Sequence, residues 1–166
     1  IEAEAIARGV GEKTNVAVAP TLNYGMSHAL LGFPGTLSLR PTTLIAVLED
    51  LFRSLYRHGF RRVLVVNGHG GNTAALGSAL HLVADDLPDL CVKTFEWWAD
   101  QESYRVVIDK LGPQVGSHAS PGETAFMLAV CPSAVKLDRL SGRDAPVVPS
   151  REFTTMRTFA QKYPDG

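Results

Sequence analysis

The sequence has little cysteine, no block of one charge and no long apolar run, and each shortage removes a class of function. Its 166 residues include only Cys91 and Cys131, with no Cys-x-x-Cys pair, so it offers neither a disulfide framework nor a thiolate zinc ribbon. That usage suits a reducing, cytoplasmic compartment, and both cysteines are expected in the core. Lys and Arg total 16 against 17 Asp and Glu, a net charge of −1, so nucleic acid and anionic membrane are not expected as partners. Apolar stretches such as Val63–Val66 fall far short of the roughly 18–20 residues that span a bilayer. A basic start followed by an apolar stretch, the mark of a secretory signal, is also missing. What is present, 45% apolar residues over this length, suits one globular domain over residues 1–166.

The periodicities alternate between strand and helix. Ile1–Gly9 reads as a helix without a capping residue, and Tyr163–Gly166 as a turn leading onward, so the chain is expected to be truncated at both ends. Asn15–Ala19, with alternating Val16 and Val18, and Thr36–Leu39 read as short strands. Pro41 opens a helix with Leu44, Val47, Leu48, Leu51 and Leu55 at helical spacing, stopped near His58-Gly59. Arg62–Val66 is almost wholly apolar, the pattern of a strand covered on both faces at the centre of a parallel sheet. After the loop Asn67–Asn72 comes a helix with Leu76, Leu80, Val83 and Leu87 on one stripe, running to Pro88; Leu90–Phe95 is the next strand. Helices are expected near Glu102–Leu111 and from about Gly122 to Val130, and Ser141–Ser150 is the one linker-like stretch. The alternation predicts an α/β fold, a layered sandwich with a mostly parallel central sheet flanked by helices.

In such sheets ligands bind beyond the carboxyl ends of the strands. The segment after Val66, Asn67-Gly68-His69-Gly70-Gly71-Asn72, surrounds one histidine with three glycines, which permit tight or left-handed backbone and leave the imidazole open to a ligand. It is not a dinucleotide fingerprint, because Thr73 stands where the third glycine belongs, and no Gly-Lys-Ser/Thr follows to make a P-loop. Gly25-Met-Ser27-His-Ala29 lacks the last glycine of a nucleophile elbow, so an esterase built on Ser27 is the weaker enzyme reading. A non-catalytic α/β ligand-binding module is a further alternative. The second loop, Gly116-Ser-His118-Ala-Ser-Pro-Gly122-Glu123-Thr124, feeds a helix that Glu123 opens. A carboxylate there suits the helix dipole, yet His69, His118 and Glu123 together also form a nitrogen and oxygen set suited to zinc, manganese or iron, or to acid/base work. His58 and His81 are expected to be solvated or capping, and His28 is undecided. Of Trp97 and Trp98, one is expected in the core, and Trp98 is expected to face the site.

Tyr24-Gly25, Phe33-Pro-Gly-Thr36-Leu-Ser-Leu39, His58-Gly-Phe-Arg-Arg-Val, Val66-Asn-Gly-His69-Gly-Gly-Asn72 and His118 with Gly122-Glu123-Thr124 follow one another in an order that resembles the creatininase (creatinine amidohydrolase) family, from about Ile1 to Leu140. The resemblance implies an α/β, two-metal hydrolase, commonly a homohexamer, that opens the C–N bond of cyclic or small amides. By position it implies that His69 is a metal ligand, Glu123 a ligand of the second metal and His118 the proton shuttle. Trp98 resembles a tryptophan that covers substrate, and Tyr24, Ser27, Gly70, Gly71 and Asn72 are the further substrate-binding candidates. Creatininase itself carries Tyr-Glu where this chain has Gly70-Gly71, which is more similar to formamide hydrolases and peptide-trimming members. The family's Glu-x-His and following Asp would stand upstream of Ile1, so the 166 residues alone are expected to bind metal weakly and to be inactive.

Overall fold

Helical segments of ten residues or more, two five-residue strands and the glycine-rich turns between them decide the architecture. The computed structural model describes residues 1–112, 118 and 120–139. The sequence readings that fall on the linker 141–150, the terminal turn 163–166 and residues 116, 117 and 119 lie outside the described residues. The chain divides into two compact units, Pro20–Glu96 and a second made of Ile1–Ala19 with the chain from Trp97 onward.

In the unit Pro20–Glu96, helix α1 (Pro41–Arg57) precedes strand β1 (Arg62–Val66), helix α2 (Thr73–Val83) and strand β2 (Cys91–Phe95). The two strands pair in parallel, with Val63 opposite Val92 and Leu64 opposite Lys93. Because side chains alternate along a strand, Val63, Val65 and Val92 turn to one face, where they pack on Phe52, Leu76, Ala79, Val83 and Leu87 from the helix side. Pro41 at the first position of α1 presets the helical φ where no N–H partner is needed, and the α1–β1 turn is closed by Arg61, whose Nη1 donates to the Tyr56 and Phe60 carbonyls at 2.7 and 3.0 Å. Its guanidinium also lies 3.8 Å from the Tyr56 ring centroid.

The α/β class is as expected, but several details differ. β1 is covered on one face only: Leu64 is 49% exposed, and among the described residues the sheet has just two strands, so β1 is an edge rather than a centre. Cys91 and Lys93 share that open face, which is why Cys91 is exposed; Cys131 is half-buried, and neither cysteine belongs to the core. In α1 the inward stripe is rotated from the predicted one, with Leu44, Ile45, Leu48, Phe52 and Tyr56 at the core while Leu51 is 47% exposed. Spacing four residues apart carries that stripe, and Phe52 outweighs the leucines beside it in size. Asn15–Ala19 and Thr36–Leu39 form no strand, and Asn15 is a left-handed turn residue with φ 55°. Alternation alone does not make a ladder: among the described residues Thr36–Leu39 makes one long-range backbone bond, the Leu39 N–H donating to Gly25 O at 2.8 Å.

In the other unit, helices α3 (Glu2–Thr14), α4 (Gln101–Leu111) and α5 (Pro121–Val130) are present, with α3 and α4 each packing on α5. No capping side chain serves α3, as its sequence predicts, although the helix continues past Gly9 to Thr14. Asp100 caps α4 by accepting the Ser103 N–H at 2.8 Å. That backbone bond holds the Asp100 carboxyl below its ordinary value.

Candidate active site

β1 delivers the chain into a loop whose polar groups are nearly all committed. Asn67 is buried, and its own N–H continues the ladder to Phe95 O at 2.9 Å. Its side-chain Nδ2 donates to Glu96 Oε1 at 2.7 Å and to Thr73 Oγ1 at 3.3 Å. Its Oδ1 accepts from the His69 N–H and from Asn72 Nδ2, both at 3.2 Å. Asn72 Oδ1 in turn accepts the Met26 N–H at 2.8 Å, which ties the stretch carrying Tyr24 and Ser27 to the histidine loop. Tyr24 is exposed, and the Ser27 N–H donates to Ser38 Oγ at 2.8 Å. Ser38 Oγ also lies 3.0 Å from His28 Nδ1, so His28 has a place in holding this stretch.

The loop glycines serve space rather than handedness. Positive φ among described glycines falls at Gly35, Gly59 and Gly112, not in the His69 loop. A Cβ on Gly71 would run into the Met26 carbonyl oxygen and stand 2.7 Å from His69 Nε2, and one on Gly25 would stand 2.5 Å from Asn72 Oδ1. A Cβ on Gly70 would meet nothing within 4 Å. We therefore expect Gly71→Ala to displace the imidazole or the 24–27 stretch and to destabilise by about 1–3 kcal/mol, the usual cost of overpacking. Gly70→Ala should leave the melting temperature nearly unchanged. Thermal denaturation of the two variants side by side checks the pair.

In the other unit Glu123 is the third residue of α5 and half of a capping box. Its N–H donates to Ser120 Oγ at 3.2 Å, and its Oε2 accepts the Ser120 N–H at 3.0 Å. The capping role is thus real, and it engages one carboxylate oxygen in a backbone bond. The Ser-x-x-Glu spacing was the available signal for it. His118 is half-buried in a bend ahead of α5. Trp97 stacks on Phe126 with centroids 5.9 Å apart and meets Trp98 edge-on at 6.2 Å. The packed ring is thus Trp97, whose Nε1 also donates to Glu2 Oε2 at 3.3 Å. Burial, followed by the negative charge of Glu123, raises the Glu2 carboxyl above its ordinary value. Glu96 was not singled out from the sequence, though it directly follows β2 at a strand's carboxyl end. The position that draws attention to Asn67 after β1 applies to it equally.

The donor chemistry can be tested against a divalent metal. His69 and Glu123 supply the imidazole nitrogen and carboxylate oxygen that zinc, manganese and iron accept. The Glu2 carboxyl is raised first by burial and only second by the charge of Glu123, so its shift does not by itself mark a cation site. Among the described residues, no three His, Cys, Asp or Glu side chains gather at one point.

Parallel strands with covering helices, and a polar loop at their carboxyl ends, define an α/β protein with a polar loop where that class places its ligand sites. The chain belongs to the creatininase family: the family model for creatinine amidohydrolase matches residues 1–166. It is 34% identical to the creatinine amidohydrolase of Pseudomonas putida, over 82% of this chain and 58% of that protein. It is 31% identical to a mycofactocin precursor peptide peptidase of Mycolicibacterium smegmatis, over 84% of this chain and 50% of that one. The chain thus spans about half the length of the curated relatives it matches. A crystal structure of creatinine amidohydrolase superposes with a TM-score of 0.73 at 30% identity, covering 89% of this chain and 62% of the other. A manganese creatininase and a zinc–zinc mutant form give TM-scores of 0.73 and 0.72, each at 30% identity, over 89% of this chain and 63% and 62% of theirs. No helix among the described residues is long and apolar enough to cross a membrane.

Proposed function

We propose that this chain is part of a metal-dependent amidohydrolase that cleaves the C–N bond of a small or cyclic amide, working as a homohexamer in the cytoplasm. The observation that carries the reading is the family match over residues 1–166, and the construction of the His69 loop agrees with it. His69 and Glu123 are the proposed ligands of two divalent ions, zinc, manganese or iron. When bound, such ions polarise a carbonyl and lower the pKa of a water so that it can attack.

The chain's own residues do the rest. His69 is held by its backbone N–H to Asn67 and by the room Gly71 leaves for its ring. Glu123 keeps one carboxylate oxygen on the Ser120 amide, which fixes the side chain and leaves the second oxygen for a ligand. His118 hands a proton to the departing nitrogen, the general-acid work for which an imidazole is the commonest side chain. Gly70 leaves open space beside the loop; with Gly71, Asn72, Tyr24 and Ser27 it would border the substrate, and Trp98 would cover it. A reaction supplied with its nucleophile by water needs no activated serine or cysteine.

The test is metal removal from the full-length protein, assayed on a panel of cyclic and linear small amides. Hydrolysis should fall to background after dialysis against a chelator and return with manganese or zinc. Hydrolysis that survives chelation would sink the proposal and turn attention to Ser27.

A further inference from the structure

Asn67 is a buried amide that has reached its full capacity. An asparagine side chain has two N–H donors and an oxygen with two acceptor sites, and here all four are used, on Glu96, Thr73, His69 and Asn72. Such an amide can be turned over, exchanging its oxygen for its nitrogen, unless a neighbour tells the two ends apart. Thr73 cannot do so, since a hydroxyl both donates and accepts; the His69 N–H, which only donates, does so from the Oδ1 side, and Glu96 does so from the Nδ2 side. An ionised carboxylate only accepts, and Glu96 Oε1 receives both Asn67 Nδ2 at 2.7 Å and Thr73 Oγ1 at 2.6 Å. The three residues form a closed ring of fixed polarity: Asn67 donates to Thr73, Thr73 to Glu96, and Asn67 again to Glu96. With Nδ2 committed there, Oδ1 must face the His69 N–H and Asn72, and Asn72 Oδ1 must face the Met26 N–H.

We infer that Glu96 is a positioning residue for the His69 loop, setting the orientation of the Asn67 amide and, through it, of His69 and of the stretch carrying Ser27. The inference deepens the amidohydrolase reading and rests on it only for the loop's purpose. Thr73 opens α2, where the helix dipole favours a carboxylate, so the ring is also seated where a negative charge is stable.

Because both bonds fall on one oxygen, Glu96→Gln should keep the ring: the amide oxygen can accept both. Glu96→Ala removes it. Asn67→Asp sets a second carboxylate against Glu96 and removes the Nδ2 donor, and the Asn67→Asp/Glu96→Gln pair puts a donor back opposite the new carboxylate. Hydrogen exchange followed by NMR in the full-length protein reads the result directly. In Glu96→Ala and in Asn67→Asp, the His69 and Met26 amides should exchange at least tenfold faster, while core amides such as those of Leu76 and Val83 stay within twofold. Glu96→Gln and the paired variant should stay near the parent protein.

Three outcomes overturn the inference. Loop amides in Glu96→Ala stay within the parent's range; Glu96→Gln is as damaging as Glu96→Ala, which makes the charge and not the acceptor essential; or the core amides speed up in step with the loop, which makes Glu96 a general stabiliser. The exchange readout does not depend on turnover, so a protein without amide hydrolysis would refute the functional reading and leave this one standing or falling by itself.

Discussion

Replacing His118 by alanine should lower kcat on an unactivated alkyl amide by about 10²–10⁴-fold, the range for loss of a general acid or base. The same substitution should cost far less on an amide whose leaving amine is a weakly basic aniline. An amine departing from a tetrahedral intermediate needs a proton in proportion to its basicity, so the penalty of losing the donor falls as the leaving group improves. The measurement is kcat for parent and His118→Ala across a series of leaving groups. A penalty that stays constant along the series would assign His118 to something other than proton delivery, such as holding the substrate. A steeper dependence on leaving-group basicity in the variant than in the parent is the expected result.

Phe52→Ala should lower stability by about 3–5 kcal/mol, the usual figure for truncating a buried aromatic ring. Phe52 is 2% exposed and sits with Leu76, Ala79, Val83 and Leu87, where α1 and α2 meet the covered face of the sheet. The ring is the largest side chain in that cluster, and the small Ala79 facing it cannot expand into the gap. The melting temperature should fall by roughly 6–20 °C at the ~2–4 °C per kcal/mol typical of this chain length. Leu51→Ala, one position away on the exposed side, is the control and should change little. Equal losses for the two variants would mean that the core stripe of α1 is wrongly placed.

How much of this could be read from the residues depends on whether a feature is local. Helices with a strong stripe, an opening proline or a glycine stop were legible to within a few residues, and so was the β-α-β order around the His69 loop. The rotation of the α1 stripe was not. Leu44, Leu48, Leu51 and Leu55 satisfy helical spacing, yet the choice between Leu51 and Phe52 is made by the partner helix. Strands fared worse where pairing was required. Val16 and Val18 alternate correctly, but a strand is defined by its neighbour, and none is found there among the described residues. The site shows the same division. His69, Gly71 and Asn72 stand out as candidates by composition, and Glu123 by its place at a helix start. Glu96 stands 29 residues from Asn67 (96 − 67), and only the parallel pairing of β1 with β2, continued by the Asn67 N–H to Phe95, brings the two side chains within 2.7 Å.

The one-sided sheet has a further consequence, for the behaviour of the protein among its own copies. Among the described residues the two-stranded parallel ladder has an open rim along each strand, and backbone groups at such a rim can zip onto any extended chain that lies alongside. The face carrying exposed Leu64 would favour such stacking. Arg62 and Lys93, both exposed on that face and one on each strand, set a positive charge beside each rim. Two molecules meeting rim to rim would bring those cations together, so the residues that leave the sheet uncovered also guard it against aggregation.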